Sequence, residues 1–301
     1  MKSFFTAGDL FEDWRDEIES GKPPTLYRCG TGDFEKIELG PGRVMLIGGA
    51  PGAGKTAFVM QCVVDALRID PTLRACVLNV EMAPGVLLDR QLARLSGVDA
   101  TLIRQRKLET IHADRIDQAF STLESIGERL AFVRPPYSLE NLANAADEFE
   151  SGLLVLDYIQ RIEAPGDHAD NRGSVNASMN FLRQFADNGQ AVIVVSAVGR
   201  TKDSKGRSSY SGEGLNLASF RESSELEFGC DDAYILVPID EDTVKLGHHK
   251  SRHGEQRDIS LSFAKSIQRF TPESAPSIPG SKPRTPIESL WNRPKPAKGS
   301  V

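Results

Sequence analysis

Cysteine is scarce in this 301-residue chain. Cys29, Cys62, Cys76 and Cys230 are scattered, with no C-x-x-C pair among them. That argues against a disulfide framework or a thiolate zinc site, and for reduced thiols in a cytoplasmic compartment. Long apolar runs are missing too. The longest strong one, 191–198, falls far short of the roughly 20 residues that a membrane-spanning helix needs. Asp9, Glu12 and Asp13 stand where a secretory signal would carry an unbroken apolar core, so neither export nor a membrane is expected. Positive charge is not in excess either: 36 Lys and Arg against 42 Asp and Glu give a net charge of −6. This excludes a wholly basic nucleic-acid coat but leaves room for a basic channel on an acidic body. No internal repeat is visible. The length allows one large domain or two small ones, either with a real core.

What the chain does have is Gly49-Ala50-Pro51-Gly52-Ala53-Gly54-Lys55-Thr56, which fits the phosphate-loop pattern G-x-x-x-x-G-K-[ST] at every fixed position. Glycines let the backbone curl and aim N–H groups inward as an anion nest, and the helix that starts there adds the positive end of its dipole. Lys55 supplies a cation for the β- and γ-phosphates, and Thr56 a hydroxyl for Mg²⁺. Residues 43–47 before the loop read as a buried strand and residues 57–68 after it as a helix. A nucleoside triphosphate is the expected ligand.

Around the loop, strand and helix patterns alternate, predicting a parallel sheet with helices on both faces. Strands are expected at 44–48, 75–80, 130–134, 153–157 and 191–196, and helices at 84–95, 113–126, 139–150 and 174–188. After residue 219 the pattern changes to short strands in series, at 233–238, 243–249, 256–264 and 267–270. Antiparallel hairpins added to the sheet edge are expected there. The domain limits read as 1–31, an amphipathic linker helix and loop; 32–270, the nucleotide-binding body; and 271–301, a disordered tail rich in Pro, Ser and Lys.

In residues 6–20, Leu10, Phe11, Trp14 and Ile18 recur at helical spacing, and Gly21-Lys22-Pro23-Pro24 closes the run. Two partners for that stripe are open, the chain's own domain and a neighbouring subunit. In the tail, residues 287–291 with Leu290 and Trp291 form an apolar island, either a docking peptide for another protein or incidental sequence.

Two strands end in carboxylates. The run 153–157 ends in Asp157, and in a doubly wound sheet that end faces the nucleotide, which puts Asp157 beside Thr56 as the second metal-side residue for Mg²⁺. Glu81 comes just after the strand at 75–80 and is a candidate general base for the attacking water; a cap for the helix beginning at Pro84 is the bland reading.

Residues from about 32 to 270 resemble the C-terminal motor domain of DnaB-type replicative hexameric helicases, a branch of the RecA-like ATPases. The resemblance is carried by several motifs in order. They are 49–56, Asn79-Val80-Glu81-Met82 with Arg90 downstream, Leu95-Ser96-Gly97-Val98-Asp99, Ile103-Arg104, and Leu156-Asp157-Tyr158-Ile159-Gln160. Asn171-Arg172, Phe220-Arg221-Glu222-Ser223 and His249-Lys250-Ser251-Arg252-His253-Gly254 complete the set. It implies a RecA-like P-loop NTPase fold and a homo-oligomeric ring, usually six subunits, with ATP bound between neighbours. It also implies Glu81 as general base, and Lys250 and Arg252 reaching the γ-phosphate of the adjacent subunit. That role is physically sound, because hydrolysis gathers negative charge on phosphoryl oxygens and a cation supplied in trans stabilises it. His248, His249 and His253 lack a third carboxylate or Cys partner at metal-ligand spacing and are assigned no metal.

For single-stranded DNA, the loop 164–172 with Asn171 and Arg172 matches the position where the family lines its channel. The segment 200–207 supplies Arg200, Lys202, Lys205 and Arg207 among polar residues. Such loops track a phosphate backbone, or are simply solvated; both readings stay open. Two departures from the family matter. Ala197 stands after Ser196 where the family has a γ-phosphate-sensing Gln, which puts coupling of hydrolysis to translocation in doubt. Residues 1–31 leave no room for the family's N-terminal collar, so primase contacts through a collar are not expected. Three functions are compatible with these features: a ring-forming helicase or translocase; a non-unwinding DNA-associated ATPase of recombination, loading or mobile-element maintenance; and a nucleotide-dependent assembly protein. Lys55→Ala should abolish ATP-dependent phosphate release in all but the last; undiminished release would remove the site.

Overall fold

The computed structural model describes residues 4–166, 171–199, 201–202, 208–209, 215–220 and 224–273. The chain divides into two compact units, of which one is Leu26–Ser274; the described part of the other is residues 4–25. That smaller part holds α1 (Ala7–Ser20). Thr6 and Asp9 close a reciprocal capping box at its start, and Gly21 at φ +63° ends it. Leu10, Phe11, Trp14 and Ile18 are each more than half exposed.

The larger unit is a nine-stranded sheet. Its parallel part is β1 (Val44–Gly49), β2 (Ala75–Asn79), β3 (Leu130–Phe132), β4 (Leu153–Asp157) and β5 (Ala191–Val195). A two-stranded piece, β6 (Thr201–Lys202) with β7 (Ser208–Ser209), stands apart. β8 (Asp232–Pro238), β9 (Thr243–Ser251), β10 (Ile259–Ala264) and β11 (Arg269–Pro272) complete the large sheet, ordered β11-β10-β9-β8-β1-β5-β4-β2-β3. The hairpin series expected after residue 219 is present, but its first strand joins the parallel part. β8 lies parallel to β1, and only β9, β10 and β11 run antiparallel to their neighbours. The long connection from β5, with α8 (Ser224–Gly229), provides the crossover that a parallel pair requires. Neither α8 nor the short α4 (Ala100–Arg104) is visible as a periodic pattern, because each is too short to show one.

Side chains alternate between two cores. On β1, Met45 and Ile47 face one layer while Val44 and Leu46 face the other. The first layer is α2 (Lys55–Ile69), with Phe58, Cys62, Val63 and Leu67 inward. Beyond it, α3 (Pro84–Ser96), α4 and α5 (Ala113–Gly127) share a small cluster around Leu92 and Ile103. The second layer is α6 (Leu139–Glu148) and α7 (Asn171–Asp187). Strands covered on both faces are buried end to end, which explains their unbroken apolar runs. The buried apolar residues of β9, β10 and β11 all join the first layer, as expected of an antiparallel extension covered on one side. All four cysteines are free thiols and buried. No helix among the described residues is long and apolar enough to cross a membrane.

The last hairpin closes back on the start of α2. The rings of Phe263 and Phe270 stack 4.0 Å apart, and Phe270 meets Phe58 edge-on. Gly54 lies under them at φ +89°, where a Cβ would approach Phe270 Cζ to 2.9 Å and Phe263 Cε1 to 3.0 Å. Gly54→Ala should therefore lower stability by about 1–3 kcal/mol through backbone strain and crowding. An unchanged thermal midpoint would contradict that packing.

Candidate nucleotide site

The parallel register makes the site. Ile47 pairs with Val195, Val195 with Asp157, and Asp157 with Asn79, so the carboxyl ends of β1, β5, β4 and β2 are level. The segments leaving these strand ends converge on one cavity of about 530 Å³. Lys55 and Thr56 enter it from the loop after β1, Glu81 and Met82 from β2, Asp157 and Tyr158 from β4, and Ala197 from β5. Arg90 of α3 borders it, and Phe263, Lys265 and Gln268 close it from the β10–β11 hairpin.

Thr56 Oγ1 donates to Asp157 Oδ2 at 2.6 Å, and Asn79 Nδ2 donates to the same oxygen at 2.8 Å. Asn79 Oδ1 accepts the backbone N–H groups of Glu81 and Met82, at 3.0 and 2.8 Å, and thereby shapes the turn that presents Glu81. Lys55 Nζ folds onto the loop carbonyls of Gly49 and Ala50. Ala83 is the N-cap of α3 and makes no side-chain hydrogen bond there.

Charge in the cavity is strained by desolvation. Burial pushes the Asp157 carboxyl above its usual 3.8, helped by Glu81 and opposed by the Thr56 hydroxyl, Lys55 and Arg90. Burial likewise depresses Lys55, against Asp157 and Glu81, and Arg90, against Asp157. A buried carboxylate paired with a hydroxyl, ionised at a cost, is a donor set that fits a hard divalent cation such as Mg²⁺ retaining part of its water shell.

Lys250 and Arg252 do not border this cavity. Lys250 Nζ donates to the carbonyls of Glu227 (2.6 Å), Cys230 (2.7 Å) and Phe228 (3.4 Å) at the end of α8, where the helix dipole favours a cation. Arg252 Nη1 donates to Asp231 Oδ1 at 2.8 Å and Nη2 to Phe228 O at 3.2 Å. His248 is buried; its Nδ1 accepts Arg257 N–H, which leaves Nε2 to bond Asp232 Oδ1 at 3.1 Å. No group of three or more His, Cys, Asp or Glu among the described residues is arranged to hold a metal. Of the DNA candidates, Asn171 and Arg172 open α7 and Lys202 lies on β6, and for these only the backbone is described. Arg200, Lys205 and Arg207, and the tail residues Leu290 and Trp291, lie outside the described residues.

Sequence reasoning assigned no role to Asn79, Arg90, Gln160 or the Phe263–Gln268 hairpin. Gln160 bridges the segments that follow β4 and β5: its Nε2 donates to Ser196 Oγ at 2.7 Å, and its Oε1 accepts Ala197 N–H at 3.3 Å. Asn79, Arg90 and Gln160 stand inside the motifs that carry the resemblance. The hairpin is legible as strands, but its place at the site has no local signal and comes only through sheet order.

Level strand ends, a glycine cradle and a buried carboxylate beside the cradle's threonine define a P-loop nucleotide-binding domain of the RecA-like fold. Its family emerges from comparison. The profile described as "DnaB-like helicase C terminal domain" matches residues 30–272, and the chain belongs to that family. It is 26% identical over 252 residues to the replicative DNA helicase DnaB of Treponema pallidum, covering 81% of this chain and 54% of the relative. A probable plasmid replicative DNA helicase of Chlamydia trachomatis is 23% identical, with 79% and 52% covered. The chain thus spans about half the length of these curated relatives. Among solved structures, the ATPase domain of G40P superposes with a TM-score of 0.75 at 18% identity, covering 89% of this chain and 99% of that one. A DnaB-like replicative helicase, described with its interactions with primase, gives 0.76 at 18% identity, with 88% and 68% covered. At these identities the superpositions establish the fold.

The raised Asp157 carboxyl has a testable sign. Between 3.8 and its raised folded value the native state binds more protons than the unfolded one, so this group's contribution to stability falls as pH rises through that window. Ionisation of this carboxyl therefore opposes folding. Asp157→Asn should hold or raise the thermal midpoint, while nucleotide turnover falls on the order of a hundredfold or more. A lower midpoint with turnover intact would contradict both statements.

Proposed function

We propose that this chain is an ATP-hydrolysing, ring-forming motor that moves on single-stranded DNA, with ATP shared between adjacent subunits. The observation that carries the reading is the division of charged groups. Lys55, Thr56, Glu81, Arg90 and Asp157 gather in one cavity, whereas Lys250 and Arg252 sit off it, half or partly exposed, on another element of the same chain. A cavity equipped on one side and cations stationed elsewhere make sense when copies stand side by side, six in a ring as the family resemblance implies.

In that reading Lys55 holds the β- and γ-phosphates and the loop N–H groups orient them. Thr56 and Asp157 hold Mg²⁺, which when bound neutralises charge on the phosphate oxygens. Glu81, presented by Asn79, takes the proton of the attacking water. Arg252 and Lys250 stabilise the charge that gathers on the neighbour's phosphoryl group, tying hydrolysis to assembly. Asn171, Arg172, Arg200, Lys202, Lys205 and Arg207 contact the DNA backbone. The setting is cytoplasmic, and the exposed stripe of α1 is a surface for an adjacent subunit. A protein partner docking at Leu290 and Trp291 belongs to the same proposal.

A second reading, hydrolysis without unwinding, is favoured by Ala197, which lines the cavity with no hydrogen-bonding side chain. The deciding experiment measures turnover with and without single-stranded DNA, alongside mass with a non-hydrolysable nucleotide. DNA-stimulated turnover by a hexamer is expected. Turnover indifferent to DNA selects the second reading, and assembly without turnover excludes both.

A further inference from the structure

Asp231 is a carboxylate with only 1% of its surface exposed, at the junction of α8 and β8. A buried charge persists only where it is paired and hydrogen-bonded, and here the pairing joins three elements. Oδ2 accepts the N–H of Val44, the first residue of β1, at 2.8 Å, and Arg183 Nη1 of α7 at 2.6 Å. Oδ1 accepts Arg252 Nη1 at 2.8 Å, with His253 Nε2 at 3.8 Å. The main chain repeats the link: Arg252 N–H donates to Asp231 O at 2.9 Å.

The two guanidiniums on Asp231 are not equivalent. Arg183 is tied on its other side as well, to Asp187 (2.9 Å) and to Gly42 O (2.8 Å). Arg252 is gripped along one edge, by Asp231 and by Phe228 O, and its side chain is 46% exposed. Two-point contact on a planar guanidinium fixes its plane as well as its place. Lys250 differs again, because main-chain carbonyls hold it.

We propose that Asp231 is the positioning residue for Arg252, setting the plane in which that guanidinium is presented to a neighbouring subunit's nucleotide. The inference rests on the reading of Arg252 as a cation acting in trans. It adds a mechanical link, since the residue that aims Arg252 also holds the first N–H of β1, and β1 runs directly into the phosphate loop. One side chain thus references the outgoing cation of a subunit to that subunit's own nucleotide cradle.

The test is turnover of the assembled protein carrying Asp231→Asn, Arg252→Ala or both. Asp231→Asn should lower kcat about tenfold to a hundredfold through misalignment, with KM for ATP unchanged, and the double variant should be no slower than Arg252→Ala. Unchanged kcat in Asp231→Asn, or losses that multiply in the double variant, would overturn the proposal. Arg183→Gln controls for the structural staple: it should melt lower yet keep kcat, and a fall equal to that of Asp231→Asn would reduce Asp231 to a structural role. Arg252→Lys keeps the charge but cannot hold both partners in one plane; it should lose kcat comparably even if Asp231→Asn fails to assemble, and full turnover in it would overturn the proposal. Failure of the underlying reading looks different, because then Arg252→Ala itself would turn over normally.

Discussion

A carboxylate buried at the end of an apolar strand sets the terms for this molecule. Asp157 completes five residues of β4 that are buried throughout, and it is carried inside with them. Left alone it would be costly, and the chain answers with Thr56, Asn79, Lys55 and Arg90 from three other elements. Those groups can meet only because parallel pairing levels the strand ends. Sheet register and site chemistry are therefore one constraint.

The C-terminal strands use the same sheet for two purposes. β10 and β11 fold over the beginning of α2, where stacked Phe263 and Phe270 leave space only for glycine at position 54. β9 carries Lys250 in the opposite sense, onto the carbonyl end of α8, while Arg252 just beyond it is gripped by Asp231. An extension that buries one face and adds no layer of its own supplies both a wall of the cavity and cations away from it.

The chain just after β5 is held from a neighbouring segment. Ala197 presents no hydrogen-bonding side chain to the cavity wall, yet its backbone is tied. Gln160, in the short turn that follows β4, reaches Ser196 and the N–H of Ala197, so the chain leaving β4 is cross-linked to the chain leaving β5.

The amino-acid sequence by itself determined the strand–loop–helix unit at 44–69, the alternating layers and the carboxylates at 81 and 157. Each of these is written in neighbouring residues: glycine spacing, apolar runs, a polar residue where a run stops. It could not say that β8 would lie parallel to β1, that Asn79 would hold both Asp157 and the turn at Glu81, or that Asp231 would anchor Arg252. Nor could it say that residues 263–268 would wall a cavity founded on the loop at 49–56. Those are contacts between segments remote in sequence, created when burial of two apolar layers fixed the order of the strands. Only the tertiary structure decides them, because no local pattern encodes which strand end will stand beside which.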